Sequence, residues 1–249
     1  MILKQQIIKK FSASFIKSYN RAAIVQQEMA ERLITLMESY NLPHLSRIFE
    51  LGYGTGFLTT LLLDHLDRSK LWLNDISSHK LIPSHCDHCE ISYIHGDAEH
   101  IIFPENLDLV ISSAVIQWFE NLPLHFERVH SALKPGGIVA FSTFGPDNFH
   151  EIKTLTGVGL RYKSINEFKE LLSNKFVIEK TEESLRPIVF PTPREVLLQM
   201  KDTGVNSLVT TPWGPTTYRH FYKNYIKEFG TPDGVPLTYH PMVVIARKR

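Results

Sequence analysis

Apolar residues between positions 22 and 40 fall at Val25, Met29, Leu33, Leu36 and Met37. Steps of three and four predict an amphipathic helix, which Asn41-Leu42-Pro43 ends. The period then shortens. RIFEL (47–51) is a short apolar run that stops at a glycine and reads as a strand, and a helical pattern follows from Phe57 to about Leu66. LWLND (71–75), ISYIHGD (91–97) and LDLVISS (107–113) read as three further strands. Residues 122–133 read as a helix closed by Lys134-Pro135-Gly136-Gly137, with GIVAFSTF (137–144) as a fifth strand. Strands alternating with helical stretches predict an α/β fold with a parallel sheet and crossover helices.

The rhythm breaks after Gly145-Pro146. Helices are predicted at 164–173, 193–202 and 216–229, with a strand around 175–181, and TYHPMVVIARK (238–248) reads as an apolar strand that returns to the sheet. The expected organisation is a single domain, 1–249: a helical cap (1–40), a core (41–146), a lid and substrate region (147–235) and a closing strand (236–249). The lid is inserted between strand five and the last strands of a doubly wound sheet.

Composition narrows the class. The chain has 249 residues, 43% hydrophobic and 21% charged, so wholesale disorder is excluded. Two cysteines cannot staple a disulfide scaffold and fit a reducing compartment. No apolar run nears the length of a spanning helix, and the first residues lack the apolar stretch of a signal peptide, so a cytoplasmic protein without membrane association is expected. Net charge is +1, which gives no general steering toward nucleic acid. The charge is unevenly spread: +5 over residues 1–27, −9 over 28–150 and +5 over 151–249. Basic ends around an acidic middle suit either solvated helix faces or an acidic partner.

The clearest chemistry lies in IFELGYGTGFLTTLL (48–62). Gly52, Gly54 and Gly56 sit between an apolar strand and a helix, where a backbone without Cβ atoms can turn sharply and approach a ligand. Ligands of open α/β sheets bind at such carboxyl ends of strands. A dinucleotide fingerprint needs a glycine where Phe57 stands, and the phosphate-loop pattern is absent. GxGxG preceded by Glu50 is the pattern of S-adenosylmethionine-dependent methyltransferases. Asp75, at the end of the next strand, can accept both ribose hydroxyls, although a helix N-cap is the plainer reading. Asp97 can accept an adenine amino group while Ala98 offers a backbone amide. Ile76, beside Asp75, and Ser113, at the end of strand four, complete the expected cofactor set.

Longer stretches carry a resemblance. FSASFIKSYNRAAIVQ, through Phe11, Tyr19 and Gln26, ELGYGTG, HGDAE, DLVISSAVIQWF with Gln117-Trp118, LKPGGIVAFSTFGP, QMKDTGVNSL and PLTYHPMVVIARK together resemble the malonyl-acyl-carrier-protein O-methyltransferases of biotin synthesis, nearly end to end. Tyr53 stands where cysteine is common in that family. The resemblance implies a Rossmann-like class I methyltransferase fold with a mostly parallel seven-stranded sheet. It also implies methyl transfer from S-adenosylmethionine to the free carboxylate of malonyl-acyl-carrier protein, which primes pimeloyl synthesis for biotin. A small-molecule carboxyl methyltransferase of the same fold is the alternative.

A carboxylate with a pKa near 4 is ionised at neutral pH, so this chemistry needs no general base. Neutral donors that orient the carboxylate suit it better than a tight ion pair. Tyr19, Gln117 and His240 are the expected catalytic residues, with Trp118, Lys201 and Tyr239 toward the substrate. Tyr239 and His240 alternate along a strand, which leaves open which of them faces the site. His85-Cys86-Asp87-His88-Cys89 invites a zinc reading, but four donors within five residues are too close together to wrap one ion, and no metal is expected.

Overall fold

The computed structural model describes residues 13–40, 44–78, 85–86, 89–205 and 213–249. The helix stop at Asn41-Leu42-Pro43, the pair Asp87-His88 and the basic residues Lys4, Lys9 and Lys10 lie outside that set. The chain divides into two compact units.

The larger unit comprises residues 25–143, 163–183 and 242–249 and is built on an eight-stranded sheet. Its strands are β1 (Arg47–Leu51), β2 (Ser69–Asp75), β3 (His85–Cys86), β4 (Cys89–His95), β5 (Leu107–Ser113), β6 (Leu133–Phe144), β7 (Phe176–Glu183) and β10 (Pro241–Lys248), in the order β3-β4-β2-β1-β5-β6-β10-β7. β1 pairs parallel with β2 and β5, β2 parallel with β4, and β5 parallel with β6. β10 runs antiparallel to β7. The expected seven strands are all present, and the eighth is the two-residue β3, which folds back on β4 with Cys86 opposite Cys89.

Alternation along the strands gives the sheet two buried faces. Ile48, Leu109, Ile111, Ala140 and Ile245 join one core; Phe49, Val110, Val139, Phe141 and Val244 join the other. The first core is covered by α2 (Ile24–Met37) and α3 (Phe57–Leu63), through Ala30, Leu33, Ile34, Met37, Leu58 and Leu62. The second is covered by α4 (Leu122–Ala132) and α6 (Ile165–Leu172), through Phe126, Val129, Phe168 and Leu172. Side chains define where these helices begin. Asn121 accepts the Leu124 N–H ahead of α4, and Ser164 with Glu167 forms a reciprocal capping box ahead of α6.

The smaller unit gathers residues 1–24, 144–162 and 184–241. It holds α1 (Ala13–Ala22), α5 (His150–Thr156), α7 (Pro193–Asp202) and α8 (Pro215–Phe229), with the antiparallel pair β8 (Arg186–Phe190) and β9 (Val235–Tyr239). Val196, Met200, Phe221, Tyr225, Leu237 and Tyr239 are buried in it. The fully buried Glu151 of α5 clamps β9, accepting the Thr238 N–H at 3.0 Å and its hydroxyl at 2.6 Å.

Two features depart from the expected organisation. Residues 163–183, placed by sequence within the inserted region, supply α6 and the edge strand β7 to the sheet unit. The closing segment is two strands rather than one. It breaks at His240, so that β9 pairs with β8 and β10 enters the main sheet. Neither change alters the local hydrophobic pattern, which is why periodicity did not reveal it.

Candidate active site

Within the sheet unit the carboxyl ends of β1, β2, β4 and β5 bring the expected cofactor residues together. The chain leaves β1 through Gly52 (φ +66°), Gly54 (φ +53°) and Gly56 (φ +89°), all in the left-handed region that favours glycine. Gly56 then starts α3. The glycines have different neighbours. A Cβ on Gly52 would overlap the Val115 side chain, so Gly52 is needed for packing. A Cβ on Gly54 would meet only the Gly52 carbonyl, at 3.9 Å. Gly54 therefore borders open space among the described residues.

Asp75 ties β2 to this loop. Its Oδ2 accepts the Gly54 N–H at 2.8 Å, and Oδ1 accepts both the N–H and the hydroxyl of Ser77 at 2.7 Å. A carboxylate offers about four acceptor sites. Three are used within the protein, leaving one for a further donor. The Ser77 contacts form a local Asx-type turn, and no helix begins at Asp75 among the described residues. Ile76, next in the chain, has its carbonyl 3.0 Å from the His95 ring.

Glu50, at the end of β1, is 1% exposed; its Oε2 has no close hydrogen-bond partner among the described residues, and the Thr59 hydroxyl only partly offsets its burial. Burial, reinforced by the nearby charge of Asp75, pushes its pKa up to about 8. Thr55 Oγ1, in the loop, is likewise buried without a partner. These polar atoms, with the open face at Gly54, fit a ligand that carries hydrogen-bond donors and a positive charge. Tyr53 fills the cysteine position with a buried ring packed edge-on against Tyr93, centroids 5.7 Å apart, and burial raises its pKa.

Beyond β4, Asp97 Oδ1 accepts the Glu99 N–H at 3.0 Å, and the Ala98 carbonyl accepts from Arg128 at 3.1 Å. Glu99 has a role the sequence reading missed. Its carboxylate accepts the Glu120 N–H at 3.0 Å and the Asn121 N–H at 2.8 Å, fastening the loop that follows Gln117-Trp118 to the loop that follows β4. The Ser113 hydroxyl lies 2.8 Å from that of Ser142.

Gln117 is held in one orientation. Its Nε2 donates to the Ala114 carbonyl at 2.7 Å, and its Oε1 accepts from the Thr143 hydroxyl at 3.1 Å. One N–H of the amide is left for another acceptor. Trp118 is half-buried and belongs to neither core cluster, so it is not a core residue.

The other expected residues belong to the smaller unit. Tyr239 is fully buried. Its hydroxyl accepts from Gln199 Nε2 at 3.0 Å, which also donates to the Ala22 carbonyl at 2.8 Å, and burial pushes the phenol up to about 12. His240 Nδ1 faces Asp147, 3.2 Å from its backbone N–H and 3.4 Å from its carboxylate. Tyr19 is half-buried on α1, and Lys201 is exposed in the last turn of α7.

Among the described residues no group of three or more His, Cys, Asp or Glu side chains is placed to hold a metal ion, and no helix is long and apolar enough to cross a membrane.

Comparison with known proteins agrees with this arrangement. A family profile described as a methyltransferase domain matches residues 49–141, from β1 through β6. A malonyl-(acyl-carrier protein) O-methyltransferase of Acinetobacter baylyi is 38% identical, covering 99% of this chain and 98% of its own. Its namesake in Bacteroides helcogenes is 36% identical, covering 99% of both chains. Among solved structures, the YcgJ protein of Bacillus subtilis superposes with a TM-score of 0.62 at 14% identity, over 87% of this chain and 97% of its own, which is a likeness of fold.

Proposed function

Because this chain belongs to the malonyl-(acyl-carrier protein) O-methyltransferase family, we propose that it transfers a methyl group from S-adenosylmethionine to the free carboxylate of a malonyl thioester on acyl-carrier protein. The observation that carries the reading is the glycine loop pinned by Asp75 beside the buried Glu50, in a chain alike end to end with those relatives. The methyl ester masks the malonyl charge and so allows chain elongation toward the pimeloyl unit of biotin.

When bound, S-adenosylmethionine supplies a methyl group already activated on a sulfonium. The protein's tasks are then alignment and exclusion of water; alignment of reacting groups can lower a barrier by about 7–11 kcal/mol. Glu50, Gly52, Gly54, Gly56, Asp75, Ile76, Asp97, Ala98 and Ser113 hold the cofactor. The locked Gln117 amide offers its remaining N–H to the substrate carboxylate, and His240 is assigned to orient that carboxylate as well. A neutral donor orients the carboxylate without quenching its nucleophilicity. Its lone pair is available at neutral pH, so no residue needs to remove a proton. Tyr19 and Trp118 serve the substrate side, and the exposed Lys201 attracts the anionic substrate from a distance. Tyr239, its hydroxyl committed to Gln199, acts as a positioning residue for α7, the helix that carries Lys201.

The deciding experiment supplies labelled S-adenosylmethionine with malonyl-acyl-carrier protein, malonyl-coenzyme A or free small dicarboxylic acids. Label in a base-labile ester on the carrier protein is expected. Labelling of the free acids in preference to the thioesters would establish the small-molecule alternative.

A further inference from the structure

One buried polar group on α2, the helix that shares a core with Tyr53, has no part in the site described so far. Gln26 is 8% exposed, and its Oε1 has no hydrogen-bond partner among the described residues. It lies on the core-facing stripe of α2, one turn before Ala30, in register with Leu33, Ile34 and Met37. Ala30, Leu33 and Met37 share a core with Tyr53 of the glycine loop and with Leu58 and Leu62 of α3. α2 precedes β1 in the chain, with residues 38–46 between them, and packs in the same core as Ile48 of β1 and Tyr53, which follows it. An amide carbonyl buried on an apolar stripe without a donor is a standing destabilisation. Glu50 Oε2 and Thr55 Oγ1 share that condition. Thr59 Oγ1 on α3 is a fourth such oxygen, and its hydroxyl can serve Glu50, whereas Gln26 Oε1, which can only accept, is left without a donor among the described residues.

We propose that Gln26 is a cofactor residue whose Oε1 accepts a hydrogen bond from the α-ammonium of the amino-acid tail of S-adenosylmethionine, a cation whose arrival also favours the ionised form of Glu50. An ammonium carries three N–H donors and one positive charge, which matches two or three acceptors of which one is a carboxylate. The inference rests on the proposed use of S-adenosylmethionine, and it predicts an unusual pairing of effects. A residue that serves packing loses stability when replaced. A buried acceptor kept for a ligand costs stability in the free protein, and its replacement by an apolar group of similar size relieves that cost.

The test is Gln26→Met, measured without turnover. Calorimetry compares S-adenosylhomocysteine, its decarboxylated analogue and 5′-methylthioadenosine, which lacks the tail; thermal unfolding of the ligand-free protein is followed in parallel. Affinity for the two ligands that keep the ammonium should fall about 10- to 100-fold, as for a hydrogen bond to a charged group. Affinity for methylthioadenosine should be unchanged, and the ligand-free Tm should be unchanged or higher. Equal losses on all three ligands, a loss confined to the carboxylate-bearing one, no loss at all, or a lowered ligand-free Tm would each overturn the assignment. Wild-type protein that fails to bind S-adenosylhomocysteine would instead overturn the reading on which it rests.

Discussion

The Asp75 carboxylate holds the Gly54 N–H at 2.8 Å, so the residue expected to read the cofactor's ribose also sets the shape of the glycine loop. Removing it has two consequences. Asp75→Ala should weaken S-adenosylhomocysteine binding by about 10- to 100-fold, through loss of a charged hydrogen bond. It should also lower the ligand-free Tm, because the N–H groups of Gly54 and Ser77 lose their acceptor. Calorimetry and thermal unfolding of the same sample separate the two. Full affinity in a destabilised variant would leave Asp75 with the structural role alone.

Gly52 and Gly54 should respond differently to the same substitution. Both have positive φ, so alanine costs about 1–2 kcal/mol in backbone strain at either position. At Gly52 the added methyl also meets Val115, and Gly52→Ala should lose more stability, partly restored by Val115→Ala. At Gly54 the methyl enters open space, and Gly54→Ala should lose cofactor affinity out of proportion to its Tm. Parallel unfolding and binding curves check this. Equal Tm losses with retained binding at Gly54 would remove the loop from the site.

Glu50 predicts a pH dependence of stability. Its pKa is about 8 in the folded protein against an ordinary 4.5. Between those values the unfolded chain has released this proton while the folded protein keeps it, so the group's contribution to stability falls as pH rises through the window. Glu50→Gln has no such proton to lose. Its stability advantage over wild type should grow from about pH 4.5 to about pH 8 and then level off. Chemical denaturation at a series of pH values measures the difference. A constant difference would mean that Glu50 is ionised in the folded state.

The His240 ring turns Nδ1 toward Asp147, within 3.2 Å of its N–H and 3.4 Å of its carboxylate, and the proposed chemistry asks it to orient the substrate rather than to remove a proton. The dependence of kcat on pH should therefore show no acid limb of a catalytic base between about pH 6 and 8, since the substrate carboxylate ionises near pH 4. His240→Asn should reduce the rate modestly and keep the profile's shape. Loss of most of the rate, together with disappearance of a limb in that range, would make His240 a base.

The +5 charge of residues 1–27 predicts an electrostatic effect on a carrier-protein substrate. Lys9→Glu with Lys10→Glu should raise KM for malonyl-acyl-carrier protein, an acidic partner, and leave turnover of malonyl-coenzyme A nearly unchanged. Attraction between such charges reaches about 8 Å at physiological salt and mainly speeds encounter. Raising salt should mimic the substitution in wild type and do little to the variant. Equal losses on both thioesters would assign the segment to covering the active site.

The parts of this protein that were legible in its amino-acid order are those governed by short-range physics. Gly52, Gly54 and Gly56 announce left-handed backbone between a strand and a helix, and all three have it. The period of apolar residues placed β1, β2, β4, β5, α2 and α4 to within a few residues. Local signals for the missed contacts also existed. A serine two residues after Asp75 marks the turn that occupies its carboxylate, and a glutamine on the apolar stripe of α2 marks an unusual buried group. The break at His240, the entry of β7 into the sheet and the commitments of Tyr239 and Glu99 had no such signal. They depend on partners far along the chain: Thr238 on Glu151, 87 residues away, Tyr239 on Gln199, 40 away, and Asn121 on Glu99, 22 away. A residue's periodicity records whether it is buried, whereas its hydrogen bonds depend on which distant polar groups the fold brings beside it.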